Sequence, residues 1–477
     1  MRDRLPDPLP DPDAVAAVRA HCAAAGYTVD GLTGRLGEAA SRALLRDELL
    51  PARRALAGDD SPLGRLARLF LLGERVTPGD DLAAYDAIGV TRAGHAVLDL
   101  RPVDDVLVVS DLGSEVTGVP VAPDHVLGVG GASVTLAEAL PRGAVGRALD
   151  LGTGCGIQAV TLAAHAREVV ATDSSPRALR LAALTLALNG VSADLREGDL
   201  LDPVVGERFD LVASNPPFVV GPAGRQSFTY RDSGREGDGV TAELLRGLPA
   251  LLSPGGTAVV LGNWAHRRGE DWRERVGGWL AGSGCDAWVA QREVSDPAEY
   301  VALWLRDTGT ALAGADAAAT AWLDWFDAQD VEGVGFGVVS LRRVDAADPT
   351  LALEDVREPG AAVRGPEVAG RLDRTAWLRA NDEEAMLRAR LHAGPELALQ
   401  QAASVGAEGW EVGAQVLQLA GRSTPTDAVG VSLVAGCDGT RPLGDLLDLL
   451  AAAYSFPARA GLPAVRHLVE RGVLLPP

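Results

Sequence analysis

Four groups of residues between Asp150 and Phe218 have types and spacings that can do chemistry together. Asp150-Leu-Gly152-Thr-Gly154-Cys-Gly156 sets three alternating glycines just after an acidic residue. Glycines tolerate positive φ and let a ligand come close to the backbone. The spacing is Gly-x-Gly-x-Gly, which differs from the Gly-x-Gly-x-x-Gly of dinucleotide sites. Asp173 follows twenty-three positions after Asp150, where a carboxylate can accept the protons of both hydroxyls of a ribose. Asp199, in Glu197-Gly-Asp199-Leu, offers a second acceptor where an adenine amino group would lie. Asn215-Pro216-Pro217-Phe218 sets a carboxamide, a stiff proline pair and an aromatic ring side by side.

Such residues need a scaffold that delivers them to one edge. From about residue 146, short β-rich runs alternate with helical ones, the pattern of a parallel sheet covered by helices. Strands are expected at 147–151, 168–173, 193–197, 209–215, 256–262, 286–293 and 334–342. Helices are expected at 157–166, 176–189, 238–252, 269–281, 297–306 and 314–329, the fifth opened by the capping signature Asp296-Pro-Ala-Glu299. A doubly wound sheet binds its ligand at the carboxyl ends of its strands, and the four groups fall at four such ends.

With these residues, 148–218 resembles the class I S-adenosylmethionine-dependent methyltransferases, within them the group with an Asn-Pro-Pro-Phe/Tyr tetrapeptide. That group includes release-factor glutamine N5-methyltransferases, adenine N6-methyltransferases of DNA and RNA, and guanine N2-methyltransferases of ribosomal RNA. The resemblance covers about 123–345 and implies an α/β fold, a Rossmann-like seven-stranded class I methyltransferase domain, with S-adenosyl-L-methionine as cofactor. It implies that Asp150, Gly152, Gly154 and Gly156 cradle the methionine moiety, that Asp173 holds the ribose and that Asp199 holds the adenine. Gly131 and Thr135, in Gly130-Gly-Ala-Ser-Val-Thr135, fall where such enzymes place a loop closing over the cofactor. Asn215 is expected beside the cofactor and, with Pro216, Pro217 and Phe218, as the catalytic centre. Tyr230-Arg-Asp-Ser-Gly-Arg235-Glu-Gly-Asp-Gly239 resembles the glycine-rich substrate loop of the glutamine methyltransferases, so Tyr230, Arg231 and Arg235 join Phe218 as expected substrate contacts.

The tetrapeptide suits a nitrogen acceptor. The lone pair of an amide or arylamine is delocalised, which makes it a poor nucleophile. Hydrogen bonds from its NH2 to the Asn215 side-chain oxygen and the Pro216 carbonyl strengthen as positive charge develops, which is transition-state stabilisation. Phe218 offers a face for stacking a planar group. The proline pair reduces the ordering needed to reach the reactive geometry.

The flanks are expected to add a helical N-terminal domain at 1–90, a short β-rich connector at 91–122 and a C-terminal domain at 346–477. Thr77-Pro-Gly-Asp80 reads as a helix start, Pro349–Pro366 as a linker, and 429–477 as strand, helix, turn and helix, a winged-helix-like region. Hydrophobic residues make up 47% and charged residues 23%, so disordered and fibrous classes are excluded. The net charge is −21, every basic residue is arginine, and no segment is net basic. That bulk field repels polyanions and favours a protein over a nucleic acid as the macromolecular substrate. Together with the resemblance of the 230–239 loop to that of the glutamine methyltransferases, it makes a protein glutamine side chain or similar amide the expected acceptor. The alternatives are a nucleobase of ribosomal RNA or DNA, and a nucleic-acid-binding regulator that senses the cofactor. Cys22, Cys155, Cys285 and Cys437 lie far apart, so neither a metal site nor a disulfide framework is expected. A polar, proline-rich start and no apolar run of membrane-spanning length predict a cytoplasmic protein with no membrane partner.

Overall fold

The computed structural model describes residues 11–223, 234–307, 312–358, 360–406 and 409–477. They divide into two compact units. The first takes the described residues up to Ala137 with Gly143–Ser283 and Val294–Phe336; the second takes Glu138–Arg142, Gly284–Glu293 and Gly337–Pro477.

The first unit opens with five helices: α1 (Pro12–Ala25), α2 (Val29–Leu36), α3 (Glu38–Leu44), α4 (Leu49–Ala55) and α5 (Pro62–Leu72). Asp11, Thr28 and Ser61 cap α1, α2 and α5 by accepting backbone N–H groups of their first turns. The helix expected to start at Thr77 starts later, as a short 3-10 turn at Asp80–Leu82 running into α6 (Ala83–Ala87). Thr77 caps nothing because its neighbourhood is held extended. Val76 N–H donates to the Gly94 carbonyl at 2.9 Å, and Arg65 donates to the Thr77 carbonyl at 2.9 Å. Two hairpins follow, β1 (Thr91–Arg92) with β2 (His95–Ala96) and β3 (Asp99–Val103) with β4 (Val106–Ser110), then the short α7 (Ser114–Thr117).

The Rossmann-like part comprises α8 (Gly131–Ala139), β5 (Val145–Leu151), α9 (Ile157–Ala163), β6 (Ala166–Asp173), α10 (Pro176–Leu188), β7 (Asp194–Glu197) and β8 (Phe209–Ser214). It continues through α11 (Gly239–Gly247), β9 (Leu252–Arg267), α12 (Trp272–Leu280), β10 (Cys285–Ser295), α13 (Pro297–Asp307), α14 (Leu312–Ala328), β11 (Val331–Arg343) and β12 (Leu351–Asp355). The sheet order is β12-β10-β11-β9-β8-β5-β6-β7. All seven expected strands form, and the sheet has eight rather than seven. The extra strand is β12, inside the stretch read as a linker. It pairs parallel to β10 from Ala287 opposite Leu351 to Gln291 opposite Asp355. Its entry is fixed by Asp286, whose carboxylate accepts from Thr350 N–H at 2.9 Å. From β5 the chain steps outward to β6 and β7, then returns to lay β8 on the other side of β5. That reversal is a topological switch point, where ligands of open α/β sheets bind.

The N-terminal helices share one core with this part of the unit. Leu66, Phe70, Tyr85 and Ile88 belong to the same buried cluster as Leu181, Leu184 and Leu188 of α10. Polar side chains of α10 and its end stitch the two together. Thr185 Oγ1 accepts from Val109 N–H at 3.0 Å, and Asn189 accepts from Leu107 N–H at 3.0 Å while donating to the Leu107 carbonyl at 2.7 Å.

The second unit adds α15 (Gly365–Ala380), α16 (Glu383–Arg388), β13 (His392–Ala393), β14 (Ala398–Gly406), β15 (Gly409–Leu419) and β16 (Arg422–Thr426). It closes with α17 (Ala428–Gly436), α18 (Leu443–Tyr454), α19 (Leu462–Glu470) and β17 (Leu474–Leu475). The strand expected to begin at Val429 is instead helix α17. Its residues are apolar on all sides, so periodicity does not separate strand from helix. Asp427 decides for the helix by accepting Gly430 N–H at 2.8 Å. The expected strand-helix-turn-helix is therefore three helices closed by β17, which pairs with β13. Leu433, Leu447, Val465 and Val469 form their core. Among the described residues, no helix is long and apolar enough to cross a membrane, and no group of three metal-ligating side chains forms.

Candidate active site

An open cleft, with about 1050 Å³ of empty space including its mouth, lies at the carboxyl ends of β5, β6 and β8. The three glycines after β5 have separate tasks. Gly152, Gly154 and Gly156 adopt φ of +78°, +54° and +86°, a region unfavourable for residues with a Cβ. Gly152 and Gly154 line the cleft, and nothing stands within 4 Å of where a Gly154 Cβ would be. Gly156 packs away from it: a Cβ there would meet Ala182 Cα of α10 at 3.0 Å. The loop is fixed by Gly152 and Thr153 N–H groups, both donating to the Thr172 carbonyl, at 2.9 and 2.8 Å.

Asp150 lies beneath the loop, buried, and does not line the cleft. Thr153 Oγ1 donates to its carboxylate at 2.6 Å. Burial nevertheless pushes the Asp150 carboxyl up to about 7. Asp173 closes β6 and faces the cleft. It accepts Gly154 N–H at 2.9 Å and Ser175 N–H at 2.8 Å, so it braces the loop and still has lone pairs for a ligand. Burial raises its carboxyl too, against the pull of those N–H groups. Asp199, beyond β7, lines the cleft with an exposed carboxylate.

The tetrapeptide leaves the end of β8. Asn215, Pro216 and Pro217 line the cleft opposite the glycines, with the Asn215 carbonyl 3.8 Å from where a Gly152 Cβ would be. Phe218 turns from the cleft into an aromatic cluster, its ring 5.7 Å from Phe336 and 6.5 Å from Trp304, and is 7% exposed. It therefore anchors the tetrapeptide more than it offers a stacking face. The backbone beyond is gripped by side chains of α13 and α14. Val220 N–H donates to Tyr300 OH at 2.8 Å, and Trp322 Nε1 donates to the Val220 carbonyl at 3.1 Å.

Of the other expected site residues, Tyr230 and Arg231 lie outside the described residues. Arg235 sits between two carboxylates, 2.5 Å from Glu243 and 3.0 Å from Asp199, so the structure joins two residues assigned to different ligands. Three residues further on, Asp238 is pinned by a two-point contact with Arg275, at 2.7 and 2.8 Å, and accepts Ala265 N–H at 3.0 Å. Gly131 and Thr135 lie on α8, a helix where a loop was expected; neither lines the cleft, whereas Ser133 between them does.

Two groups of lining residues escaped the sequence reading. One is His125–Gly128, placed by Asp111, whose carboxylate accepts Val126 N–H at 2.8 Å and pairs with Arg177 of α10. The other is Gln158, 3% exposed, on the first turn of α9. Its amide donates to the Ser133 carbonyl at 2.7 Å, while its Oε1 has no hydrogen-bond partner among the described residues. A buried acceptor left open on a cleft wall is a place for a ligand donor. The only available signal was position, two residues after the last glycine.

Sheet order, switch point and cleft define a Rossmann-like ligand-binding domain, and residues 128–263 match the family model described as methyltransferase small domain. Residues 24–105 and 369–476 match two models each described as a domain of unknown function, DUF7059 and DUF7782. A release factor glutamine methyltransferase of Xylella fastidiosa (strain 9a5c) is 36% identical over 129 residues, covering 25% of this chain and 47% of that protein. The ribosomal RNA small subunit methyltransferase C of Alcanivorax borkumensis is 32% identical over 121 residues, covering 25% of this chain and 33% of that protein. A putative protein N5-glutamine methyltransferase of Methanocaldococcus jannaschii is 30% identical over 118 residues, covering 24% and 59%. The chain spans about half the length of the curated relatives it matches.

Proposed function

We propose that the chain is an S-adenosylmethionine-dependent N-methyltransferase acting on the amide nitrogen of a protein glutamine. The observation that carries this reading is the placement of Asn215-Pro216-Pro217 across one cleft from Gly152, Gly154 and Asp173. The cofactor fits the residues present. Gly154 leaves open space for it, Asp173 and Asp199 offer acceptors for ribose and adenine donors, and the buried Gln158 Oε1 offers a third. When bound, S-adenosylmethionine supplies an electrophilic methyl group carried on a sulfonium.

The chain's own residues then bind and orient the acceptor. The Asn215 side-chain oxygen and the Pro216 carbonyl accept the two N–H bonds of a primary amide and draw its nitrogen toward tetrahedral geometry. These contacts tighten as charge develops, so they favour the transition state over the bound ground state. Pro216 and Pro217 hold the acceptors in place, and the Tyr300 and Trp322 contacts keep the following backbone from drifting.

Relatives named for protein glutamine methylation and an acidic chain both support a protein acceptor. The ribosomal RNA small subunit methyltransferase C similarity supports a nucleobase as the second reading. The test is transfer of tritiated methyl from cofactor into fractionated cell extract by the purified chain, with products split by protease and nuclease. Label released by protease and lost with Asn215→Ala supports the proposal. Label released only by nuclease moves the acceptor to a nucleobase, and no transfer to either fraction refutes the enzymatic reading.

A further inference from the structure

Between α7 and α8 the chain forms neither helix nor strand, yet His125–Gly128, inside this stretch, make one wall of the cleft. Backbone without a ladder of its own has to be held by other groups. Asp111, the residue after β4, holds it at two points. Its N–H donates to the Val126 carbonyl at 3.0 Å, and its carboxylate Oδ2 accepts Val126 N–H at 2.8 Å. His125 Nδ1 stands 3.8 Å from the same oxygen. Asp111 itself does not line the cleft.

On its other side Asp111 is ion-paired. Arg177 donates to both carboxylate oxygens, from Nε to Oδ2 at 3.1 Å and from Nη2 to Oδ1. A two-point pair of arginine with a carboxylate fixes orientation as well as distance. The two side chains are 13% and 18% exposed, so salt screens this pair less than a pair on the open surface. Arg177 lies in the first turn of α10, and that turn opens at the cleft. Ser175 caps it and donates its own N–H to Asp173 at 2.8 Å, and Asp173, Ser175 and Ala178 all line the cleft. One carboxylate outside the cleft thus ties the His125–Gly128 wall to the helix start beside Asp173. Asp111 and His125–Leu127 fall between the two matched stretches, 24–105 and 128–263.

We propose that Asp111 is a positioning residue for the cofactor: with Arg177 it fixes the His125–Gly128 wall relative to Asp173, so the segment ahead of the matched methyltransferase stretch completes the cofactor cleft. This rests on the methyltransferase reading, and Asp111 acts through Val126 and Arg177 without touching a ligand. A cleft whose walls are already held loses less freedom when a ligand binds, which leaves more of the contact energy as affinity.

The test is titration calorimetry of the full chain with S-adenosylhomocysteine, for wild type, Asp111→Asn, Arg177→Gln and the double variant. Asp111→Asn keeps an oxygen for Val126 N–H and loses the charge pair. Each single variant should bind about tenfold more weakly, and the double variant no more weakly than either, because the same contact is lost in all three. Hydrogen exchange separates this role from general destabilisation. Without ligand, amides of 119–128 should exchange faster in Asp111→Asn, while those of 181–188 in α10 keep wild-type protection. Wild-type affinity in both single variants, losses that add in the double variant, or exchange raised equally in both segments overturns the proposal and leaves the methyltransferase reading standing. A wild-type chain that does not bind S-adenosylhomocysteine overturns that reading and the proposal with it.

Discussion

Tyr300 takes the backbone N–H of Val220 on its hydroxyl at 2.8 Å, and Asn263 donates to the same oxygen at 2.8 Å. Two positions past the tetrapeptide, the chain is thus tied to a side chain eighty residues downstream. Helices α13 and α14 supply that tie and the Trp322 contact beside it.

Tyr300→Phe should leave a buried N–H without its acceptor, at about 1–3 kcal/mol of stability. Urea unfolding measures the loss. Turnover should fall while cofactor affinity holds, because the cofactor-facing residues are untouched. A variant with wild-type turnover would show that the brace does not position the tetrapeptide.

Asn215→Ala should lower turnover by about 10²–10³-fold, the effect of removing one preorganised hydrogen-bonding group at comparable sites. Cofactor binding should change little. Single-turnover methyl transfer separates the two, and wild-type turnover would end the N-methyltransferase reading.

Asp173→Ala removes acceptors for ligand hydroxyls and also the acceptor for Gly154 N–H. Hydrogen bonds to a charged group are worth about 1.5–3 kcal/mol each, so S-adenosylmethionine should bind at least tenfold more weakly. Titration calorimetry reads this directly. An unchanged Kd would take Asp173 out of the ribose role.

Gln158→Leu keeps the volume but loses both the open Oε1 acceptor and the bond to Ser133. Cofactor affinity should drop by about tenfold, equivalent to one hydrogen bond. Thermal melting without cofactor gives the cost to the fold, so the two contributions can be told apart. Equal affinity would leave Gln158 a tether for α8 alone.

The Asp150 carboxyl holds its proton to about pH 7 in the folded cofactor-free chain. In the unfolded chain it ionises near its ordinary value of about 3.9. The folded state therefore binds more protons between about pH 4 and pH 7, and stability contributed at this site falls as pH rises through that window. Asp150→Asn should remove that slope. The difference between wild-type and variant urea midpoints against pH is the measurement; parallel curves would contradict a raised carboxyl.

The parallel strands and glycine loop were legible because their signals are local. Asp150, Asp173 and Asn215 each sit at or just past the end of an apolar run, and the chain needs nothing distant to place them. Two strands of the second unit, β14 and β12, were not legible for the opposite reason. Ala398–Gly406 has only Leu399 and Val405 as large apolar residues among alanine, glutamine, serine and glycine, and becomes a strand by pairing with Gly409–Leu419. Leu351–Asp355 lies in a proline-flanked stretch and becomes a strand through Asp286 and β10. His125 reaches the cleft through tertiary contacts, which no spacing announces, whereas Gln158 had only its position after the glycine loop to mark it. Phe218 was read for its chemistry, whereas its surroundings, Trp304 and Phe336, come from far along the chain.

Chain order adds a temporal side to the Phe218 cluster. Every residue lining the cleft precedes Phe218, while Tyr300, Trp322 and Phe336 follow it. At about 5–20 residues per second of synthesis, Phe336 leaves the ribosome on the order of ten seconds after Phe218. For that interval the growing chain has its glycine loop and acidic strand ends in hand, with the tetrapeptide still unanchored. On the proposed function, the residues assigned to the cofactor are thus synthesised early and the side chains that anchor the tetrapeptide late, so an interrupted chain would hold the former without the latter.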